Sequence, residues 1–348
     1  MKNNYCYDSK KVYTYYHEAK EILEGKMPEP RMALIYPSRI CNHNCYYCSD
    51  RWDNKKVNSF MDPEQFLKLP KRIKDLGAES IELCGGGEPL LHPNIKEFIK
   101  EAAKQGLKLA SLTNGTMIKD ELLELVVNNF SYFRVSMDSF NPEIHKKIRR
   151  PKAACYELPA VLENVKNAIE LKKKLGKSIQ IGLKINVAFE NADDIYDSIK
   201  KAVEMGADSI QIKIARNADE GEAPVEKVNK VREQIERGKR DFSDKIVILG
   251  NIDKYNIDHR CWMAPAHIFI DTNGDVRICC YFQFREKEHT FGNAFESSLE
   301  EIWYGKKHFE VMQNIDIEEC NKWDCKYFNF NKFLKEAVAE DQGQCQFT

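Results

Sequence analysis

The sequence predicts an α/β protein, a partial (β/α)6 TIM-like barrel followed by a small cysteine-rich α+β domain. Two observations carry the barrel. From residue 32 to about residue 250, short apolar runs alternate with amphipathic stretches, the pattern of βαβ units wound around a parallel sheet. Gly77, Gly106, Gly176 and Gly206 each fall just past a helical stretch, where a left-handed closing residue is wanted. A third observation carries the second domain: beyond Gly250 cysteines and aromatics become denser, and residues 268–280 (IFIDTNGDVRICC) read as two short strands joined by an Asn-Gly turn. The expected division is an N-terminal extension over residues 1–31, the barrel over 32–250 and the cysteine-rich domain over 251–348.

Taken in order, the first strand is expected at residues 32–36 (MALIY), a short apolar run after a polar extension. The helix at 63–76 precedes a strand at 80–84 (SIELC), and the helix at 94–105 a strand at 107–113. A helix at 119–128 leads to a strand at 132–137 (YFRVSM), and the long helix at 158–175 to a strand at 179–187 (IQIGLKINV). The helix at 192–205 is followed by a strand at 209–215, and the helix at 225–240 by a last strand at 245–249. Every helix shows apolar residues at three- and four-residue spacing, and the connections are short, as a barrel requires.

Composition narrows the function. With 53 Lys+Arg against 54 Asp+Glu in 348 residues the formal charge is -1, so no overall field recruits nucleic acid or an anionic membrane. The basic stretches at 172–177 and 227–240 fall on helices and read as solvated faces. No run approaches the eighteen or so apolar residues of a membrane span, and residues 1–16 lack the apolar core of a signal peptide. A cytoplasmic protein is expected, binding neither nucleic acid nor membrane. Its 12 cysteines are too sparse for a disulfide scaffold, and in a reducing compartment clustered cysteines read as metal ligands or catalytic groups.

Cys41, Cys45 and Cys48 form CxxxCxxC directly after the first strand, where a barrel places its active-site loop. Four cysteines normally hold a [4Fe-4S] cluster, so three on one loop leave an iron open to a non-protein ligand. A zinc knuckle completed by a residue such as His43 is the other reading of the triad alone. At the end of the second strand stands Gly85-Gly86-Gly87-Glu88-Pro89, whose glycines permit close backbone approach to a ligand and whose Glu88 offers an acceptor to an ammonium group.

The cysteine triad ending strand one and the Gly-Gly-Glu-Pro ending strand two together resemble the radical S-adenosylmethionine superfamily, over roughly residues 32–215. The resemblance implies that Cys41, Cys45 and Cys48 ligate a catalytic [4Fe-4S] cluster whose open iron is chelated by S-adenosylmethionine. Tyr47 would lie beside the adenine. Gly86 and Gly87 would let the backbone approach the cofactor, Glu88 would accept from the methionine ammonium, and Ser136 and Lys184, in later strands, would meet the ribose or carboxylate. Thr113, Asn114, Asp138 and Asn186 occupy similar positions. One-electron reduction of the sulfonium would release a 5′-deoxyadenosyl radical that takes a hydrogen atom from an unactivated carbon, while the barrel positions that carbon and excludes water.

In the second half, Cys261 is followed by Gly274 and, four residues on, by Cys279; Cys320 and Cys325 come later. This spacing resembles the start of the SPASM module or its shortened twitch form, which implies a second, auxiliary [4Fe-4S] cluster on Cys261, Cys279, Cys320 and Cys325. A zinc ribbon is the alternative for the same four thiolates, and Cys280 could exchange with Cys279. Cys84 reads as a small core residue, Cys155 as structural and Cys345 as a free thiol in a polar tail. The resemblance implies an oxidoreductase that passes an electron from a substrate radical to the auxiliary cluster, with flavodoxin or ferredoxin as electron donor. About thirty residues precede the first strand, too few for a leader-peptide recognition domain, which inclines the expectation toward a carbohydrate-like or aminocyclitol-like small molecule. The alternatives are a peptide maturase, an epimerase using a thiol such as Cys155 or Cys280 as hydrogen donor, and, in another class, a zinc-stabilised binding module.

Overall fold

The computed structural model describes residues 14–48, 50, 58–215, 225–250, 252–280, 286–323 and 325–336. Cys6 and Cys345 lie outside them. Seven strands in chain order, β1 (Met32–Ile35), β2 (Ser80–Leu83), β3 (Lys108–Thr113), β4 (Phe130–Ser136), β5 (Gln180–Val187), β6 (Ser209–Ile214) and β7 (Val247–Leu249), pair with their neighbours in parallel. Helices at Pro63–Asp75, Ile95–Lys104, Asp120–Asn129, Leu158–Lys174, Ile195–Met205 and Val228–Phe242 make the crossovers. These are the six expected β/α units and their closing strand, within a few residues at each boundary.

Local chemistry explains the boundaries. Asp62 caps the helix that opens with Pro63, accepting from Gln65 N at 3.0 Å. Gly77, Gly106, Gly176 and Gly206 all have positive φ, between 63° and 98°, as their places after helices require. Within the barrel the structure adds a helix at Pro142–Arg149, capped by Asn141 through Glu143 N at 3.0 Å, between β4 and the next long helix.

Along the barrel strands, alternate residues face opposite sides. One set, including Ile81, Leu83, Phe133, Val135, Ile181, Leu183, Ile185, Ile210 and Ile212, is fully buried against the helices. The other set is largely polar where it faces the barrel interior: Glu82, Arg134, Ser136, Lys184, Asn186, Gln211 and Lys213. Register aligns that inner set, with Ser136 opposite Lys184, Lys184 opposite Gln211, and Asn186 opposite Lys213. A buried parallel strand is ordinarily apolar on both faces, so this polar inner layer marks a ligand cavity within the barrel.

The C-terminal segment continues the same sheet. β8 (His267–Ile270) pairs in parallel with β1, and β9 (Asp275–Arg277) and β10 (Thr290–Asn293) follow antiparallel. The full order is β10-β9-β8-β1-β2-β3-β4-β5-β6-β7, ten strands ending in two unjoined edges, so the barrel is open. The Asn273-Gly274 turn forms the expected hairpin, with Gly274 at φ 87°. Behind the hairpin, a capping box of Ser298 and Glu301 starts a short helix whose buried Trp303 donates its indole N–H to Pro28 O at 2.8 Å. Among the described residues no helix is long and apolar enough to cross a membrane.

Candidate active site

The cysteine loop and the glycine loop are built against each other. Gly87 N donates to Ser38 O at 2.8 Å and Glu88 N to Ile40 O at 2.9 Å. A Cβ on Gly87 would stand 2.2 Å from the Ile40 carbonyl oxygen, and one on Gly86 2.6 Å from Arg39 Cδ. The glycines therefore serve a loop-to-loop approach in addition to whatever ligand they meet. Glu88 is oriented by Thr113 Oγ1 at 2.6 Å, Asn114 N at 2.7 Å and Leu90 N at 3.2 Å. Burial nevertheless pushes its carboxyl up, with these donors pulling the other way.

These loops open onto a cavity of about 500 Å³. Cys41, Cys45, Tyr47, Cys48, Gly86, Gly87, Glu88, Ser136 and Lys184 all line it, so residues spread over some 140 positions of sequence meet at one surface. Thr113, Asn114 and Asn186 line it too, whereas Asp138 does not. Burial pushes the Cys41 thiol up to about 12 and those of Cys45 and Cys48 upward as well. Such thiols give up their protons readily only to a metal, which suits a metal-thiolate site.

The zinc-knuckle reading loses its fourth ligand. His43 is buried, with Nε2 2.9 Å from Tyr156 O and Nδ1 3.4 Å from Arg149 Nε. Burial, together with the Arg149 charge, lowers its pKa to about 3. Its ring is thus a neutral structural link. Among the described residues, moreover, no group of three or more His, Cys, Asp or Glu converges tightly enough to hold a single metal ion. A cubane, with iron at several corners, spreads its thiolates more widely and fits the triad better.

Two arrangements were not legible in the sequence. Tyr47 Oη donates to Asp138 and accepts from Asn186 Nδ2 at 3.0 Å and Arg149 Nη1 at 3.1 Å, while Arg149 Nη1 also reaches Asp138 Oδ2 at 3.0 Å. Asp138 is fully buried and sits behind Tyr47, so its expected contact with ribose or carboxylate is replaced by a supporting one. The second is an ion-pair network under the glycine loop: Arg39 pairs with Asp271 through two nitrogens, and Arg277 joins the same carboxylate at 2.9 Å. It ties the cysteine loop to the C-terminal hairpin. The signal for both was present only as charged residues at loop ends, with nothing to pair them.

In the C-terminal part, Cys261, Cys279, Cys320 and Cys325 line one small cavity with Ile278, Ile315 and Tyr327. Cys280 points instead into the barrel cavity, as do Cys325 and Lys326. Cys279 and Cys280, in the turn just past β9, thus line different cavities. Cys84 also lines the barrel cavity and is more than a core filler, while Cys155 is exposed on a short helical turn outside it. Asn331, on the helix Phe328–Leu334, accepts from Trp262 N and Met263 N at 2.8 and 2.9 Å and directs Nδ2 at Cys261 Sγ, 3.5 Å away.

An open β/α barrel with a cysteine triad beside a glycine loop defines a class, and family comparison names it. The model of the radical SAM superfamily matches residues 35–202, and that of the SPASM iron-sulfur cluster-binding domain residues 261–326. The chain belongs to the radical SAM superfamily and carries a SPASM domain. It is an enzyme whose cofactors are S-adenosylmethionine, a catalytic [4Fe-4S] cluster and an auxiliary [4Fe-4S] cluster. More particularly, it is 26% identical over 317 residues to the antilisterial bacteriocin subtilosin biosynthesis protein AlbA of Bacillus subtilis, covering 88% of this chain and 67% of AlbA. It is 28% identical over 175 residues to an S-adenosylmethionine-dependent nucleotide dehydratase of Psychrobacter lutiphocae, 47% of this chain and 58% of that one. The chain thus spans about two thirds of the first relative and little more than half of the second. Among solved structures, Streptococcus suis SuiB bound to precursor peptide SuiA superposes with a TM-score of 0.67 at 14% identity, over 90% of this chain and 75% of SuiB. Native anSMEcpe with bound AdoMet gives 0.62 at 20% identity, over 87% and 88%. Both show the shared fold.

Proposed function

We propose that this enzyme oxidises a carbon of a peptide substrate, with Cys41, Cys45 and Cys48 holding the catalytic cluster and Cys261, Cys279, Cys320 and Cys325 the auxiliary one. The observation that carries the reading is that a single cavity is lined both by the triad and Glu88 and by Cys280, Cys325 and Lys326. A substrate in it would meet the triad and, at Cys325, the edge of the second cysteine group. The peptide class is supported by the similarity to AlbA, which extends across both parts of the chain and is named for bacteriocin biosynthesis.

When bound, S-adenosylmethionine and the catalytic cluster supply a 5′-deoxyadenosyl radical able to take a hydrogen atom from an unactivated carbon, and the auxiliary cluster supplies an electron acceptor. The chain's own residues hold and enclose. Tyr47, braced by Asp138, Arg149 and Asn186, would present its ring to the adenine; Gly86 and Gly87 would admit the cofactor close to the backbone, and Glu88 would accept from the methionine ammonium; Ser136 and Lys184 would take the ribose and carboxylate. Glu82, buried on the inner face of β2 and accepting from Tyr132 Oη, is the carboxylate placed to take the proton that an oxidation releases. Flavodoxin or ferredoxin in the cytoplasm would provide the starting electron.

A second reading, oxidation of a carbohydrate-like small molecule, is favoured by the polar inner layer of Glu82, Arg134, Gln211 and Lys213. Deuterated candidates distinguish the two. With reconstituted enzyme, deuterium should pass from a peptide carbon into 5′-deoxyadenosine and the peptide should lose two hydrogen masses. Transfer from a polyhydroxylated small molecule, with none from peptides, would replace the first reading by the second.

A further inference from the structure

We propose that Asn331 and Lys326 are positioning residues that hold the auxiliary cluster at a raised reduction potential, making it an electron sink; this rests on the assignment of Cys261, Cys279, Cys320 and Cys325 as its ligands. The Asn331 side chain is 1% exposed, and its orientation is determined by its partners. Two backbone donors, Trp262 N and Met263 N, require an acceptor, so the amide oxygen faces them and the NH2 group faces Cys261 Sγ at 3.5 Å. An amide that can neither rotate nor exchange with water gives the sulfur a permanent hydrogen-bond donor.

Lys326 adds a cation close to the same group. It follows Cys325 in the chain, its ammonium stands 5.0 Å from the centroid of the Tyr327 ring, and Tyr327 lines the small cysteine cavity while Lys326 lines the large one. The Cys279, Cys280 and Cys84 sulfurs and the Glu82 carboxylate are within its electrostatic range. Glu82 offsets part of the charge, but it is itself engaged by Tyr132 Oη. Lys326 therefore stands where the two cavities adjoin.

Reduction adds one negative charge to an iron-sulfur cluster. A hydrogen bond to a ligating sulfur and a nearby cation both lower the energy of the reduced form more than that of the oxidised form, and the potential rises. In the oxidation proposed above, the substrate carbon loses a hydrogen atom to the 5′-deoxyadenosyl radical, the atom bonded to it loses a proton to a base, and one electron passes to the auxiliary cluster as the double bond between the two atoms forms. A higher potential favours the last transfer and disfavours its reversal.

The test uses the full chain with both clusters reconstituted, in the variants Asn331→Asp, Lys326→Met and Lys326→Arg. Asn331→Asp keeps the acceptor for Trp262 and Met263 but removes the donor to sulfur; Lys326→Met keeps the apolar stem and removes the charge. Iron content is measured first, and then an EPR-monitored redox titration follows the signal that addition of S-adenosylmethionine leaves unchanged. We expect wild-type iron, a more negative auxiliary midpoint in Asn331→Asp and Lys326→Met, a wild-type midpoint in Lys326→Arg, and an unmoved catalytic cluster throughout. Full iron with an unchanged auxiliary midpoint in both variants would overturn the proposal, as would an equal shift of both clusters. Should Asn331→Asp lose iron, Lys326→Met decides, since it keeps the aliphatic stem and changes only the charge. A wild-type protein with only one redox-active centre would instead overturn the ligand assignment itself.

Discussion

Tyr47 shows how the support of a side chain can be illegible in the sequence. Its place before the third cysteine suggested an aromatic beside the adenine, but nothing local indicated that Asp138, Arg149 and Asn186, from three other elements, converge on its hydroxyl. Removing that hydroxyl costs its neighbours a hydrogen bond and leaves the ring in place. Tyr47→Phe should lose about 1 kcal/mol of stability in urea unfolding while retaining S-adenosylmethionine binding. Asp138→Asn strips the buried Arg149 of its counter-ion and should cost about 3–5 kcal/mol by the same measurement. Equal losses in the two variants would show that the Arg149 pair matters no more than the hydroxyl. Gly87 gives a sharper case, since its missing Cβ makes room for the Ile40 carbonyl. Gly87→Ala should push the two loops apart and lower iron at the triad, with iron at the second site retained; full iron at both sites would show that the loops can yield.

At the scale of elements, the crossover units were read from pattern because hydrophobic periodicity is local. The helix at Pro142–Arg149 was missed since its eight residues carry few apolar positions, yet it delivers Arg149 to the site. The pairing of β8 with β1 joins residues more than two hundred positions apart, and the Arg39–Asp271 pair is separated by 232; spacing carries no record of such contacts. In the helix at Lys306–Gln313, His308 stacks on Phe291 at 3.9 Å and donates Nδ1–H to Trp303 O at 2.7 Å. Burial lowers its pKa from an ordinary 6.5 to about 4. The folded state thus keeps it neutral, so its contribution is intact above pH 6.5 and is lost as acid protonates the unfolded chain preferentially down to about pH 4. Between pH 7 and pH 5 the wild type should lose about 2 kcal/mol more stability than His308→Phe. Parallel pH profiles of the two proteins would remove His308 from that account.

The whole molecule brings two cysteine groups to two cavities that share Cys325, by letting the C-terminal hairpin extend the barrel sheet instead of docking as a separate layer. Each cysteine group keeps a recognisable spacing in the sequence; the way their cavities adjoin is not written there, since it depends on how β8, β9 and the residues around Cys325 fold back on β1 and β2. Both groups should bind iron, about eight atoms per chain for two four-iron centres. The most direct test of this arrangement compares Cys41→Ala/Cys45→Ala/Cys48→Ala with Cys261→Ala/Cys279→Ala after anaerobic reconstitution, reading iron content and reductive cleavage of S-adenosylmethionine together. The account expects about four iron atoms in each variant, with cleavage abolished in the triad variant and retained in the other. A triad variant that still cleaves S-adenosylmethionine at the wild-type rate would contradict it.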